Sequence, residues 1–260
     1  MTTTPLSFRP SPGGRPLASM VMTHARMETR LLLRNGEQVV IALVIPLLLL
    51  VGGAESGGVL DLGSGRRIDI LTPGVMALAL LSTGFTSLAI ATGFERENGV
   101  LKRLGASPLP RSGLLLGKVV SLLGVVALQL VTISVVALSL GWHPHGGLLA
   151  AVESLILIVL GLAAFASLGL LIAGTLRAEA TLAAANLIYV ILLVGGAVVL
   201  PLSSYPAAMR DVVTLLPTGA LAEGLRQAMS GGGLGIAHVL VLALWAGVAG
   251  TLTARTFRWE

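Results

Sequence analysis

The chain has 260 residues, of which 55% are hydrophobic and only 11% charged, with a formal net charge of +5. Mean hydropathy is +0.93; soluble domains carry roughly 25% charged residues, so a water-facing surface cannot be built here and much of the exterior must face lipid. The basic residues form no dense patch with interleaved aromatics, which argues against nucleic acid, and the absence of cysteine excludes disulfides, thiolate metal sites and cysteine nucleophiles.

Residues 1–16, rich in Thr, Ser, Pro and Gly with Arg9 and Arg15, read as a disordered cytosolic tail; no apolar core follows directly, so they do not resemble a secretory signal. Residues 17–35 read as an amphipathic helix. At 100° per residue Leu17, Met20, Val21, Met27 and Leu31 share one arc, while Arg26, Arg30 and Arg34 line the opposite one. Such a helix lies in the headgroup layer with its arginines toward water or anionic lipid; a basic anchor that only enforces topology is the simpler alternative. His24 falls on the apolar arc as an interfacial contact.

Residues 36–260 read as a six-span domain, because a 30 Å hydrocarbon core needs about 20 apolar residues at 1.5 Å rise. The predicted spans are Gln38–Ala54, Leu71–Gly93, Gly113–Leu140, Leu148–Thr175, Thr181–Leu200 and Ile236–Thr253, with Pro46 bending the first. Between spans five and six, residues 201–235 are too polar to cross. Leu216, Ala220, Leu221, Leu225 and Met229 recur there at helical spacing, which predicts a short helix dipping into the outer leaflet; a surface loop helix is the alternative. With both termini inside, thirteen of the 17 Lys and Arg residues fall on the cytosolic side, leaving Arg66, Arg67, Arg210 and Arg226 outside. That bias predicts a multi-pass protein of the cell (plasma or inner) membrane with an even number of spans.

The cytosolic connection between spans two and three, residues 94–112, is the most informative stretch. Glu95 and Glu97 suit a helix N-terminus, Lys102 and Arg103 a C-terminus, and Val100, Leu101 and Leu104 form an apolar stripe. Gly105 stops the helix, and Pro108 and Pro110 prevent its resumption. The expected result is a charged knob with exposed apolar side chains, suited to a socket on a partner.

Glu95-Arg96-Glu97-x-Gly99-x-Leu101-x-Arg103-Leu104, followed by Ser107-Pro108, resembles the signature of ABC exporter permeases of the type-two (ABC-2) class, which includes the daunorubicin-resistance permeases. Thr72-Pro73-Gly74 at the start of span two, and Leu216-Pro217 with Glu223 and Arg226 before the last span, resemble the same family; Val100 and Ser107 depart from it, where threonine is commoner. The resemblance implies a permease with six spans and an N-terminal connecting helix, carrying Arg26, Arg30 and Arg34. It further implies two cytosolic ABC ATPase subunits holding ATP and magnesium, a second permease identical or homologous to this one, and outward movement of a drug-like, lipid or glycan substrate. Glu95, Arg96, Glu97, Gly99, Leu101, Arg103 and Leu104 would form the coupling helix against the ATPase. The chain itself would bind no cofactor. Its nearest approach to a phosphate-binding loop, Gly113 to Gly117-Lys118-Val119, is one residue short and lacks the magnesium-binding hydroxyl.

Other polar residues have weaker claims. Glu153, the only acid within a span, either contacts substrate inside the bundle or lies shallow enough to be hydrated, the reading favoured here. Gln129, Thr132, Ser134 and Asn186 either line a substrate path or, more simply, bond between helices. His143 and His145 flank Pro144 in an outer loop and have no further metal ligand nearby in sequence; His238 begins the last span. No nucleophile–base pair or carboxylate dyad appears, so no catalytic residue is assigned. An ion-gradient-driven transporter would need midplane carboxylates and often an internal repeat; a non-transporting scaffold docking a cytosolic partner is the third reading.

Overall fold

The structure is a computed structural model that describes residues 15–34, 36–55, 66–105 and 110–257. It is helical throughout: α1 Leu17–Arg34, α2 Gly36–Glu55, α3 Arg67–Leu80, a π-helical stretch Leu81–Ser87, α4 Leu88–Glu97, α5 Val100–Gly105, α6 Arg111–Ser139, α7 Gly147–Thr175, α8 Ala178–Gly195, α9 Ala207–Leu215, α10 Pro217–Met229 and α11 Ile236–Thr256. Among the described residues, five continuous helices are long and apolar enough to cross a membrane: Arg67–Glu97, Leu116–Ser139, Gly147–Thr175, Ala178–Gly195 and Ile236–Thr256. The first predicted span appears as α2, of which Ala42–Glu55 forms a shorter apolar helix. Most of the tail, with Asn35 and Ser107-Pro108, lies outside the described residues.

The helix Arg67–Glu97 is the centre of the bundle. In its most apolar window 72% of residues are buried, against 17–39% in the other four spans. Its neighbours α2, α6, α7, α8 and α10 leave it almost no lipid face, and Leu78, Leu80, Leu81 and Phe85 are among the most deeply buried side chains. Ends of the spans meet as alternation requires. Arg66 bonds the Gly141 carbonyl and His145 N–H bonds that of Met229 at 2.8 Å at the predicted outer end; Arg96 bonds the Leu176 carbonyl at the inner end. His143 N–H reaches Asp69 at 3.3 Å, so the two loop histidines sit where backbone contacts close the outer end.

One departure from regular helix in this core is compensated by a polar side chain. Pro46 lacks the N–H that would bond the Ala42 carbonyl four residues back, and the Gln129 amide takes that place with Nε2 at 3.2 Å. Helix α2 runs unbroken through this proline. The other end of the Gln129 amide accepts the Thr83 hydroxyl of the π-helical stretch at 2.9 Å. Gln129 thus joins three spans through both ends of its amide, where no water can substitute.

The segment expected to dip into the outer leaflet forms two helices, and α10 is buried along its length from Pro217 to Leu225. Its Arg226 closes the outer end. The guanidinium bonds Glu223 at 2.7 Å, the Ile70 carbonyl at 3.0 Å and the Val198 carbonyl at 3.0 Å, while Glu223 also accepts the Leu202 N–H at 2.8 Å. Desolvation disfavours the charged guanidinium; Glu223 offsets part of that cost. The start of α3 must come this close, and Gly74 permits it: a Cβ there would lie 1.8 Å from the Val198 oxygen and 2.7 Å from Arg226 Nη2.

Gly74→Ala should therefore prevent the outer end from closing and sharply reduce the yield of folded, monodisperse protein in detergent. Gly124→Ala, with nothing within 4 Å of the added methyl, should melt at least as high as wild type.

Candidate coupling site at the inner end

Helix α6 has 29 residues, about 43 Å at 1.5 Å per residue, longer than the roughly 30 Å hydrocarbon core. Its first turns therefore extend past the apolar layer at the inner end, and α1 packs against them. The packed face of α1 takes in only part of the predicted apolar arc, around His24. His24 and Ala25 are buried with Glu28 beside them, whereas Leu17, Met27 and Leu31 remain 46%, 45% and 58% exposed and free to meet lipid. His24 lies over Gly117, and burial, with Lys118 nearby, pushes its imidazole below the ordinary value despite the opposing pull of Glu28.

Lys118 is the centre of this contact. Its ammonium grips both oxygens of Glu95, at 2.8 and 2.6 Å, and reaches Glu28 Oε1 at 3.4 Å. Lys118 is 8% exposed, Glu28 13% and Glu95 21% by side chain. His24 Nε2 lies 3.6 Å from the same Glu28 oxygen, and the Thr29 and Ser121 hydroxyls are 3.0 Å apart. One buried cation thus ties together α1, the end of the central helix and the start of α6.

The segment 94–105 differs from the single helix expected of it. Glu95, Arg96 and Glu97 are the last turn of α4, not the first turn of a new helix, because the apolar run of span two continues into them without a breaker. The break falls at Asn98-Gly99, where Gly99 has φ of +66°, a conformation glycine adopts without penalty. Helix α5 follows, and Arg103 folds back to bond the Asn98 and Gly99 carbonyls at 2.9 and 3.4 Å. The acidic residues thus stand at a helix C-terminus, against the backbone dipole; Lys118 neutralises one of them.

The motif residues consequently face different ways. Glu95 turns to Lys118, Arg96 to the Leu176 carbonyl between α7 and α8, and Glu97 to solvent. In α5, Lys102 and Arg103 are exposed and Leu104 partly so, but Leu101 is only 4% exposed. The expectation that Leu101 is presented to a partner is corrected: this side chain is buried within the chain itself. Lys118, passed over in sequence as part of a failed phosphate loop, proves to be the residue that organises the site. Its only sequence signal is a lone cation five residues inside the predicted start of span three.

The remaining candidates lie elsewhere. Arg26, Arg30 and Arg34 are exposed along the outer flank of α1. Glu153, read as hydrated, is instead buried at 9% exposure, with its carboxylate beside Gly233 under the outer turn. Asn186 is exposed, halfway along α8, facing away from its own bundle.

Removing one partner of a buried ion pair strands the other, at a cost of about 3 kcal/mol or more. Lys118→Met and Glu95→Gln should each lower the thermal midpoint of purified protein by several degrees. The double variant should lose distinctly less than the sum; strict additivity would show that the pair is not coupled.

A family model described as ABC-2 type transporter matches residues 18–230. Comparison with curated proteins gave no match. The matched region runs from the first turn of α1 to the end of α10 and takes in the Lys118 cluster, the Gly99 joint and the Arg226 closure. The chain belongs to the ABC-2 type transporter family and is a multi-pass transmembrane subunit of an ABC-type transporter.

Proposed function

We propose that this subunit is the permease of an ATP-driven exporter, coupled through its inner end to separate cytosolic ABC ATPase subunits, two per complex, that bind the ATP and magnesium. The observation that carries the reading is the construction of that end. A short charged helix, α5, hangs from the central helix by a two-residue joint, and the turn before the joint is clamped to α1 through Lys118. Force applied to α5 or α1 would pass directly to the one helix that touches nearly every other span. ATP can shift such a bundle only as far as the contacts of the ATPase differ between its two states, and these elements are the natural place for those contacts.

In this reading Glu97, Lys102 and the exposed side of Leu104 face the ATPase, Glu95 and Arg96 hold the bundle side, and Gly99 gives the joint its turn. The cargo is an amphipathic molecule, drug-like, lipid or glycan, moved from the cytosol or inner leaflet of the cell membrane to the outside, with both termini cytosolic. A second permease completes the path. Asn186 supports this pairing: an amide in the middle of an 18-residue span is costly to leave facing hydrocarbon, and a second chain offers it a partner.

Two outcomes are expected. Leu104→Asp should leave the thermal midpoint near wild type and release the ATPase from gentle detergent purifications, whereas Leu101→Asp should instead lose folded protein; co-purification at full stoichiometry with Leu104→Asp would remove the coupling assignment. Because the chain has no cysteine, Asn186→Cys gives a single thiol. Oxidation in membranes should yield a dimer on non-reducing gels if two copies pair through α8, and none if that face meets lipid alone.

A further inference from the structure

A groove of about 590 Å³ opens between α1 and α6, and it belongs to no part of the coupling cluster. Its floor is Ala25 and Val120, with Thr29 beside them and Met22 nearer the mouth; Arg26, Arg30 and Arg34 stand along its rim. All three arginines are exposed, and none forms an ion pair with a described residue. The nearest acid on the same helix, Glu28, is turned to Lys118 and His24 on the other side. The groove thus presents three guanidinium groups beside an apolar slot.

The depth of the slot decides what it takes. Val120 lies within the apolar window Leu116–Ser139, and its neighbours Leu116, Val119 and Leu123 are 50%, 39% and 42% exposed, as lipid-facing residues are. Met22 is 57% exposed at the mouth. The floor therefore lies at the level of the first acyl carbons, and the arginines lie at the headgroup level, where their planar forks match phosphate oxygens. A soluble protein surface would reach the rim but not the floor.

We propose that this groove is a binding site for one anionic phospholipid, its phosphate held among Arg26, Arg30 and Arg34 and one acyl chain lying on Met22 and Val120. A lipid so held bears on the helix that Lys118 ties to the central span, so its occupancy would stiffen α1 against α6. The site does not depend on ATP coupling and would exist in a permease of any cargo.

The test is native mass spectrometry of the full chain in detergent, titrated separately with phosphatidylglycerol, phosphatidylcholine and inorganic phosphate. One phosphatidylglycerol per chain should be retained at least tenfold more readily than phosphatidylcholine, and inorganic phosphate should not compete at millimolar concentration. R26Q/R30Q/R34Q should abolish that preference while keeping the helical circular dichroism, and Val120→Glu should reduce retention with the arginines intact. Equal retention of the two lipids by wild type overturns the proposal, as does a preference that survives the triple change. Competition by inorganic phosphate would make this a soluble-anion site and overturn the lipid assignment. Loss of a co-purifying ATPase from the triple variant, with its lipid preference unchanged, would give the arginines to that partner instead.

Discussion

A helix with almost no lipid face sets the terms for the rest of this bundle. Residues Arg67–Glu97 are surrounded by α2, α6, α7, α8 and α10, so partners for their polar groups must come from within the chain, although the buried Thr86 and Thr92 hydroxyls find none. Water cannot do it, and an unsatisfied backbone or side-chain group in such a place costs several kcal/mol. Three closures follow from that constraint. Arg226 and Glu223 complete the outer end, Gln129 links the π-helical stretch to the carbonyl freed by Pro46, and Lys118 holds the inner end through Glu95. Each uses a side chain from a different helix, so the spans are fixed relative to one another and not merely packed.

The irregular stretch Leu81–Ser87 falls in the middle of the central helix, between two ends held by charges. π-Helical turns interrupt the regular ladder and cluster at functional positions in helical proteins. Here the interruption separates the outer half, gripped by Arg226, from the inner half, gripped by Lys118. The helix thus carries a separate anchor on either side of the interruption. The tight joint at Asn98-Gly99 repeats the arrangement at smaller scale, with Arg103 holding α5 to the carbonyls it leaves.

The electrostatics of the inner end also separate two tasks within one short motif. Glu95 and Arg96 face inward to Lys118 and to the loop between α7 and α8, while Glu97 and Lys102 face out. A substitution at Glu95 therefore reports on the integrity of the bundle, and one at Lys102 or Leu104 on what lies outside it. Treating the motif as a single docking surface would confuse these readouts. The arginines of α1 form a third, separate surface, turned away from the cluster that anchors their own helix.

Much of this protein was determined by the sequence itself. Scarce charge and long apolar runs required a membrane-spanning helical bundle, the placement of Lys and Arg predicts its sidedness, and the residues from Glu95 to Leu104, with Pro73-Gly74 and Glu223 to Arg226, pointed to the family. Those properties are local: they depend on composition, period and short spacing, which a chain carries before it folds. What only tertiary structure decided were the long-range pairings. That Lys118 meets Glu95 and Glu28, that Gln129 answers Pro46, and that Leu101 is covered while Leu104 is not depend on which helices lie side by side. Apolar runs do not encode that, because every lipid-facing or core-facing leucine reads alike, and which polar groups meet depends on residues far apart in the chain.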